Sequence, residues 1–434
     1  MAKIDAFFKL MYDTGASDLH LIAGNPPLLR VRGDMERVKY KVLEHQELKA
    51  MLFEICPEDK AKLFEETGDI DFGYEIPGLA RYRANFFLQR RGIGAVFRQI
   101  PTKIMTVEEL GLPSTVARMA LLKKGLVLVT GPTGCGKSTT LAAMVDYANK
   151  LRRDNILTIE DPVEFTHQSQ NCVISHREVG RDTKSFANAL RGALREDPDI
   201  ILVGEMRDLE TIFLAIEAAS TGHLVFGTLH TQNAAKTVDR IIDIFPASQQ
   251  AQIRATLADT LKAVVAQTLF KRIDVKGRCA ALEILMVTPA VSNLIREAKT
   301  VQIPGVMQAS KGLGMSLLND ELGKLVDAKK ITMEEALSAA VDKDELLRRY
   351  RSGLTLALDL QDKTQFRVTA VVPGSPGAEA GFERGDAIVE VDQKPASGFS
   401  LDEMRQFFRA DGRHVYTVDK QGKRKKVTLD LKRI

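Results

Sequence analysis

The sequence is short of the features that mark several protein classes. Its four cysteines, Cys56, Cys135, Cys172 and Cys279, lie far apart, with no Cys-x-x-Cys pair and no cysteine–histidine cluster. This argues against a disulfide scaffold or a zinc site and fits a reducing compartment. No apolar run approaches the ~18 residues that a membrane span needs; stretches such as Ile200–Val203 are strand-sized. The opening MAKIDAFFKLMYDTG carries acids and lacks a long apolar run before a small-residue cleavage site. It reads as a short amphipathic helix with Phe7, Leu10 and Met11 on one face, not as a signal peptide. Nor does one charge prevail: 61 Lys and Arg against 57 Asp and Glu leave a net +4. That balance speaks against a surface built for nucleic acid or an anionic membrane. Low-complexity segments and internal repeats are also lacking. What remains is ordinary globular composition, 44% hydrophobic and 27% charged over 434 residues, enough for two to four domains at roughly 100–200 residues each.

The first hundred residues mix short helical and strand-like segments. Leu19–Ile22 and Leu28–Val31 are apolar runs separated by Gly24-Asn25-Pro26-Pro27, and Arg81–Phe87 and Gly94–Arg98 alternate as half-buried strands do. Prolines at 101 and 113 bracket a linker over 101–113, because proline biases its predecessor away from helix. From 114 the pattern becomes strand–helix repeats. Strands are expected at Leu126–Thr130, Ile156–Ile159, Ile200–Val203, Leu224–Thr228 and Ala280–Met286, with helices at Thr139–Lys150, Ser185–Arg195 and Asp208–Ser220. Such alternation predicts a mainly parallel sheet covered on both faces. Helices then follow at Ser316–Ala328 and Thr332–Tyr350, the second with an N-cap threonine and acids in its first turn. Beyond Gly353, β-like runs at Phe366–Val372, Ala387–Val391, Val415–Asp419 and Lys426–Leu431 surround one helix, Ser400–Ala410. The expected organisation is α/β: domains at 1–100 and 114–352, and a small mostly-β module at 353–434.

Gly131-Pro132-Thr133-Gly134-Cys135-Gly136-Lys137-Ser138-Thr139 fits GxxxxGK[ST], after an apolar strand and before a helix-forming run. Glycines let backbone N–H groups turn inward around phosphates, and the helix adds its N-terminal partial charge. Lys137 is placed to reach the β/γ-phosphates and the Ser138 hydroxyl to ligate Mg²⁺. Such a loop needs an acid at a neighbouring strand end. Asp199–Gly204 leads to Glu205; because Gly204 holds the usual aspartate position, the metal- or water-directed work falls to Glu205. A second acidic strand end, Glu160-Asp161-Pro162-Val163-Glu164, crowds three carboxylates beside one proline, and Glu164 is the candidate general base. Glu160 and Asp161 also fit a solvated turn or cap. His223 and His230 bracket a third strand; His230 sits at its C-terminal end, where parallel sheets bind ligands. Among the arginines of the first domain, Arg81, Arg83 and Arg98 could deliver charge to a γ-phosphate or simply form surface ion pairs.

These boxes together resemble the secretion-ATPase superfamily and, within it, the type IV pilus retraction ATPases. The resemblance runs from residue 1 to about 350 and rests on ASDLHLIAGNPPLLRVRGD (16–34), GPTGCGKSTT (131–140), TIEDPVEF (158–165), DPDIILVGEMRDLETI (197–212), GHLVFGTLHT (222–231) and NLIREAKTVQIPGVMQ (293–308). It implies a PAS-like N-terminal domain, a RecA-like P-loop ATPase domain with C-terminal helices, and a homohexamer hydrolysing ATP with Mg²⁺. It implies a cytoplasmic location, peripheral at the inner face of the inner membrane, against the pilus platform protein. By motif position, residues 131–139 bind nucleotide, Ser138 and Glu205 hold the metal, and Glu164 is the catalytic glutamate. His230 is the histidine-box residue, and Arg81 and Arg98 are the arginines expected to face phosphate, with Arg83 next. Two positions depart from the pattern: Cys135 replaces a serine common in the loop, and Ser292 stands where an arginine is expected. The larger departure follows residue 353. VVPGSPGAEAGF (371–382) and RGDAIVEV (384–391) resemble bacterial PDZ domains, which implies a peptide or protein ligand, with Gly353-Leu354-Thr355-Leu356 as the carboxylate-binding loop. The Lys423–Lys426 run is expected to be a solvated hairpin. A regulatory subunit acting through the PDZ-like module, an assembly or type II secretion ATPase, and a DNA-translocating motor are the alternatives; the charge balance leads us to expect no nucleic acid.

Overall fold

The structure is a computed structural model. It describes residues 4–31, 33–100, 103–343, 345–346, 352–359, 365–371, 375–408, 412–420 and 422–431. The contacts divide the chain into two compact units, residues 1–268 with 283–315, and residues 269–282 with 316–434.

The first unit opens with a helix over Asp5–Thr14 that buries Phe7, Phe8 and Met11. Six antiparallel strands follow: β1 (Asp18–Ile22), β2 (Leu28–Val31), β3 (Asp34–Arg37), β4 (Asp69–Ile76), β5 (Ala80–Gln89) and β6 (Gly92–Ile100). Their order is β3-β2-β1-β6-β5-β4. In β5 the two-residue period is strict. Ala80, Tyr82, Ala84 and Phe86 enter the aromatic core with Phe8 and Phe97, so Arg81 and Arg83 must take the opposite face.

The second sheet contains β7 (Gly125–Thr130), β8 (Asn155–Glu160), β9 (Val173–Glu178), β10 (Ile200–Val203), β11 (Leu224–Leu229), β12 (Leu261–Lys271) and β13 (Arg278–Met286). Its order is β13-β12-β7-β11-β10-β8-β9, and β12, β7, β11, β10, β8 and β9 run parallel. All six residues of β7 and of β11 are buried, as expected of central strands covered on both faces. All five expected strands form; β9 and β12 are additional. The strand ends that carry the acids and His230 therefore share one edge with the glycine loop.

In the second unit, the helix Leu318–Asp327 and a capping-box helix over Met333–Ala339 pack with Phe270 and Ala281. The single helix expected over Thr332–Tyr350 does not form. It stops at Ala339, where Ala340 turns to an extended conformation; residues 344 and 347–350 of that expectation lie outside the described residues, as do 101–102 of the linker, 372–374 of the PDZ-like motif and 409–410 of the helix expected over Ser400–Ala410. The last sheet comprises β14 (Leu354–Leu358), β15 (Phe366–Val371), β16 (Ala387–Val391), β17 (Lys394–Pro395), β18 (Gly412–Lys420) and β19 (Lys423–Leu431). The order is β14-β15-β16-β18-β19, with β17 on β16. Two expectations are corrected. A second short helix, Pro376–Ala380, joins the one at Leu401–Phe407. Of the expected loop Gly353–Leu356 only Gly353 is loop; Leu354 onward is strand, because Leu354 and Leu356 are buried in the module's core.

Candidate functional site

The glycine loop is shaped by what lies beneath it. Gly131 has φ +139°, and a Cβ there would fall 2.2 Å from the Gln267 carbonyl oxygen. Gly134 and Gly136 also take positive φ, conformations that glycine adopts without strain. The helix Lys137–Leu151 starts directly after the loop. The Lys137 ammonium folds back onto the carbonyls of Gly131 and Pro132, at 2.8 and 3.1 Å. Gln267 of β12 holds the floor: its Oε1 accepts from the Thr140 hydroxyl at 2.8 Å and its Nε2 donates to the Cys135 carbonyl at 2.6 Å. The Cys135 thiol is buried, which raises its pKa against the opposing pull of Lys137.

Ser138 shares a cavity with Thr158, Glu160, Phe165, His167, Gly204 and Thr228. Burial pushes the Glu160 carboxyl up to about 7, although the Thr158 hydroxyl and the Glu164 N–H stabilise the anion. The solvated-turn reading of Glu160 is thereby corrected; it lines the cavity. A Cβ on Gly204 would sit 3.3 Å from the Glu160 Cα and from the Ile159 carbonyl, so a side chain there would crowd the backbone of the acidic strand end. Glu205 Oε1 accepts from His230 Nε2 at 2.7 Å and from Arg207 Nε at 2.5 Å. Burial works to raise the Glu205 carboxyl, but these hydrogen bonds outweigh it and hold it below the usual range. The Glu164 N–H donates to Glu160 at 3.3 Å; its carboxylate has no hydrogen-bond or ion-pair partner among the described residues.

The three arginines are each held by a carboxylate. Arg98 pairs with Asp18 at 2.8 Å, its side chain 66% exposed, and Arg83 lies 3.4 Å from Asp71. Arg81 is committed to Glu178 at 2.9 Å and to the Thr166 hydroxyl at 3.0 Å. His223 Nδ1 lies 2.9 Å from the Ala218 carbonyl at the end of the preceding helix, a capping position. Gln267, Glu178 and the pair His167–His176, stacked at 5.9 Å, were not singled out from the sequence. Gln267 and Glu178 lie on the two unexpected strands.

A glycine loop between a buried parallel strand and a helix, with acids at the adjoining strand ends, defines a RecA-like P-loop ATPase. Residues 94–283 match the family Type II/IV secretion system protein, and residues 367–419 match the PDZ domain family. The chain is 55% identical to the type IV pilus retraction ATPase PilT of Pseudomonas aeruginosa over 326 residues, 75% of this chain and 94% of that protein. It is 49% identical to a twitching motility protein of Neisseria gonorrhoeae, over 75% of this chain and 87% of that one. The crystal structure of the pilus retraction motor PilT with bound ADP superposes with a TM-score of 0.74 at 44% identity, covering 80% of this chain and 99% of that one. The chain belongs to the PilT-type family of pilus retraction ATPases, and it carries a PDZ domain as well. No described helix is long and apolar enough to cross a membrane.

Proposed function

We propose that the chain is an ATP-driven motor of type IV pilus retraction, working as a homohexamer at the cytoplasmic face of the inner membrane against the pilus platform protein. The observation that carries the reading is the convergence of the loop 131–139, Glu160, Glu164, Glu205 and His230 on one edge of a parallel sheet. Lys137 and the loop N–H groups hold the phosphates. Mg²⁺ bound with nucleotide phosphates needs only one or two protein ligands. Ser138 and Glu205 supply hard oxygen donors for it, and Mg²⁺ would neutralise charge on the β- and γ-oxygens.

Glu164, with its free carboxylate, takes the proton of the attacking water. His230 holds Glu205 in place and meets the γ-phosphate side of the site. Arg98, exposed and tied by one ion pair, is the arginine that a neighbouring subunit's nucleotide would recruit. The division into 1–100, a linker at 101–113, 114–352 and 353–434 is part of this reading. A second, adaptor role is supported by β14, an edge strand with the helix Leu401–Phe407 beside it. That arrangement suits addition of a peptide strand, so a protein ligand of the PDZ domain is part of the proposal. The test is hydrolysis and pilus retraction by Lys137→Ala, Glu205→Ala and Glu164→Gln; full activity in any of them refutes the assignment of that residue.

A further inference from the structure

Arg81 reaches out of β5 into the segment that carries Glu164. Its Nη2 pairs with Glu178 Oε2 at 2.9 Å and its Nη1 donates to Thr166 Oγ1 at 3.0 Å. The same Glu178 oxygen accepts the Val163 N–H at 3.1 Å. One carboxylate thus joins the guanidinium to the residue before Glu164, while Nη1 of the same guanidinium anchors Thr166, two places after it. His167 closes the segment, its N–H donating to His176 Nε2 at 3.1 Å. The pair is shielded, with 15% of the Arg81 side chain and 10% of Glu178 exposed. Room for it is built into the neighbouring strand, since a Cβ on Gly73 would lie 3.0 Å from Arg81 Nη2. A guanidinium so engaged has little freedom left to bind phosphate, whereas the Arg98 side chain is itself 66% exposed and is tied by a single ion pair to Asp18.

We infer that Arg81 is a positioning residue for Glu164: through Glu178 and Thr166 it fixes the acidic segment 163–167 against β5 of the first sheet. The orientation of that sheet is thereby coupled to the general base. The inference rests on the reading of Glu164 as that base.

The test uses the full chain with Arg81→Gln, Glu178→Gln, the double variant and Arg81→Lys. Displacing a catalytic group by an ångström can cost on the order of 100-fold, so kcat for ATP should fall about 10- to 100-fold in each Gln variant. The ADP dissociation constant should stay within about two-fold. The double variant should be no slower than the slower single one, because both break the same clamp. Arg81→Lys, which keeps the charge, should recover part of kcat. Amide exchange at Val163 and His167 should accelerate in both Gln variants. The inference is overturned if Arg81→Gln weakens ADP binding tenfold while Glu178→Gln keeps wild-type kcat, or if exchange at 163–167 is unchanged. If Arg81→Gln does not assemble, Glu178→Gln and Arg81→Lys decide by the same exchange and kcat measurements. Glu164→Gln separates the two claims: hydrolysis surviving in it refutes the base assignment, while the exchange result still reports on the clamp.

Discussion

Gln267 offers the sharpest test of how the nucleotide loop is held. Its side chain is 4% exposed and bridges the Thr140 hydroxyl and the Cys135 carbonyl. Gln267→Leu keeps the bulk and removes both hydrogen-bonding groups, leaving a buried donor and a buried acceptor without partners. Each such group costs about 1–3 kcal/mol, so the pair should cost about 2–6 kcal/mol. For a domain of about 200 residues, 1 kcal/mol moves Tm by roughly 2–4 °C, which places the expected loss at about 4–24 °C. Because the loop takes its shape from this floor, ADP should bind at least about tenfold more weakly, equivalent to about 1.4 kcal/mol. Scanning calorimetry of the full chain and titration calorimetry with ADP measure the two effects. A Tm within about 1 °C of wild type together with unchanged ADP affinity would refute the reasoning.

Gly204→Asp restores the usual acid but forces a side chain against the Glu160 backbone. Overpacking of this kind costs about 1–3 kcal/mol, so the variant should melt lower and hydrolyse ATP more slowly than wild type, as calorimetry and a phosphate-release assay would show. Two buried groups should oppose each other in the pH dependence of stability without nucleotide. Glu160 is raised to about 7, so the native state holds its proton longer and stability falls as pH rises from about 4.5 to 7. His167 is lowered to about 4 by burial, so its contribution rises between about 4 and 6.5. Glu160→Gln should therefore expose a net rise over that window and His167→Gln a net fall, both read from Tm against pH; identical slopes would refute the assignment. Truncation to residues 1–352 should leave hydrolysis intact and abolish only PDZ-dependent partner capture, measured by ATPase rate and pull-down with the pilus machinery.

The nucleotide loop was legible because its glycines, lysine and serine stand at fixed spacing between an apolar strand and a helix. The acids and His230 were legible because they end apolar strands. What escaped had no such local signal. β12 follows the helix Ala247–Thr260 directly, with no turn residue between Thr260 and Leu261, so Gln267 looked like one polar residue in an apolar run. β9 reads Val-Ile-Ser-His-Arg-Glu, too polar to announce a strand, and its Glu178 meets an arginine 97 residues away in sequence. The alternation of β5 did place Arg81 and Arg83 on one face, but not their partners. In the PDZ domain, Leu354 and Leu356 were read as a loop by motif position, although burial makes them strand. Local pattern specifies elements; contacts between distant elements decide which polar residues do the holding.

The proposed motor runs on ATP turnover at the Lys137 and Glu205 site. It is tested most directly by complementing a retraction-deficient strain with the full chain, with Lys137→Ala and with Glu205→Ala, while hydrolysis by each purified protein is measured. Twitching and hydrolysis are expected with the full chain, and neither with either variant. Twitching restored by a variant that hydrolyses no ATP would contradict it.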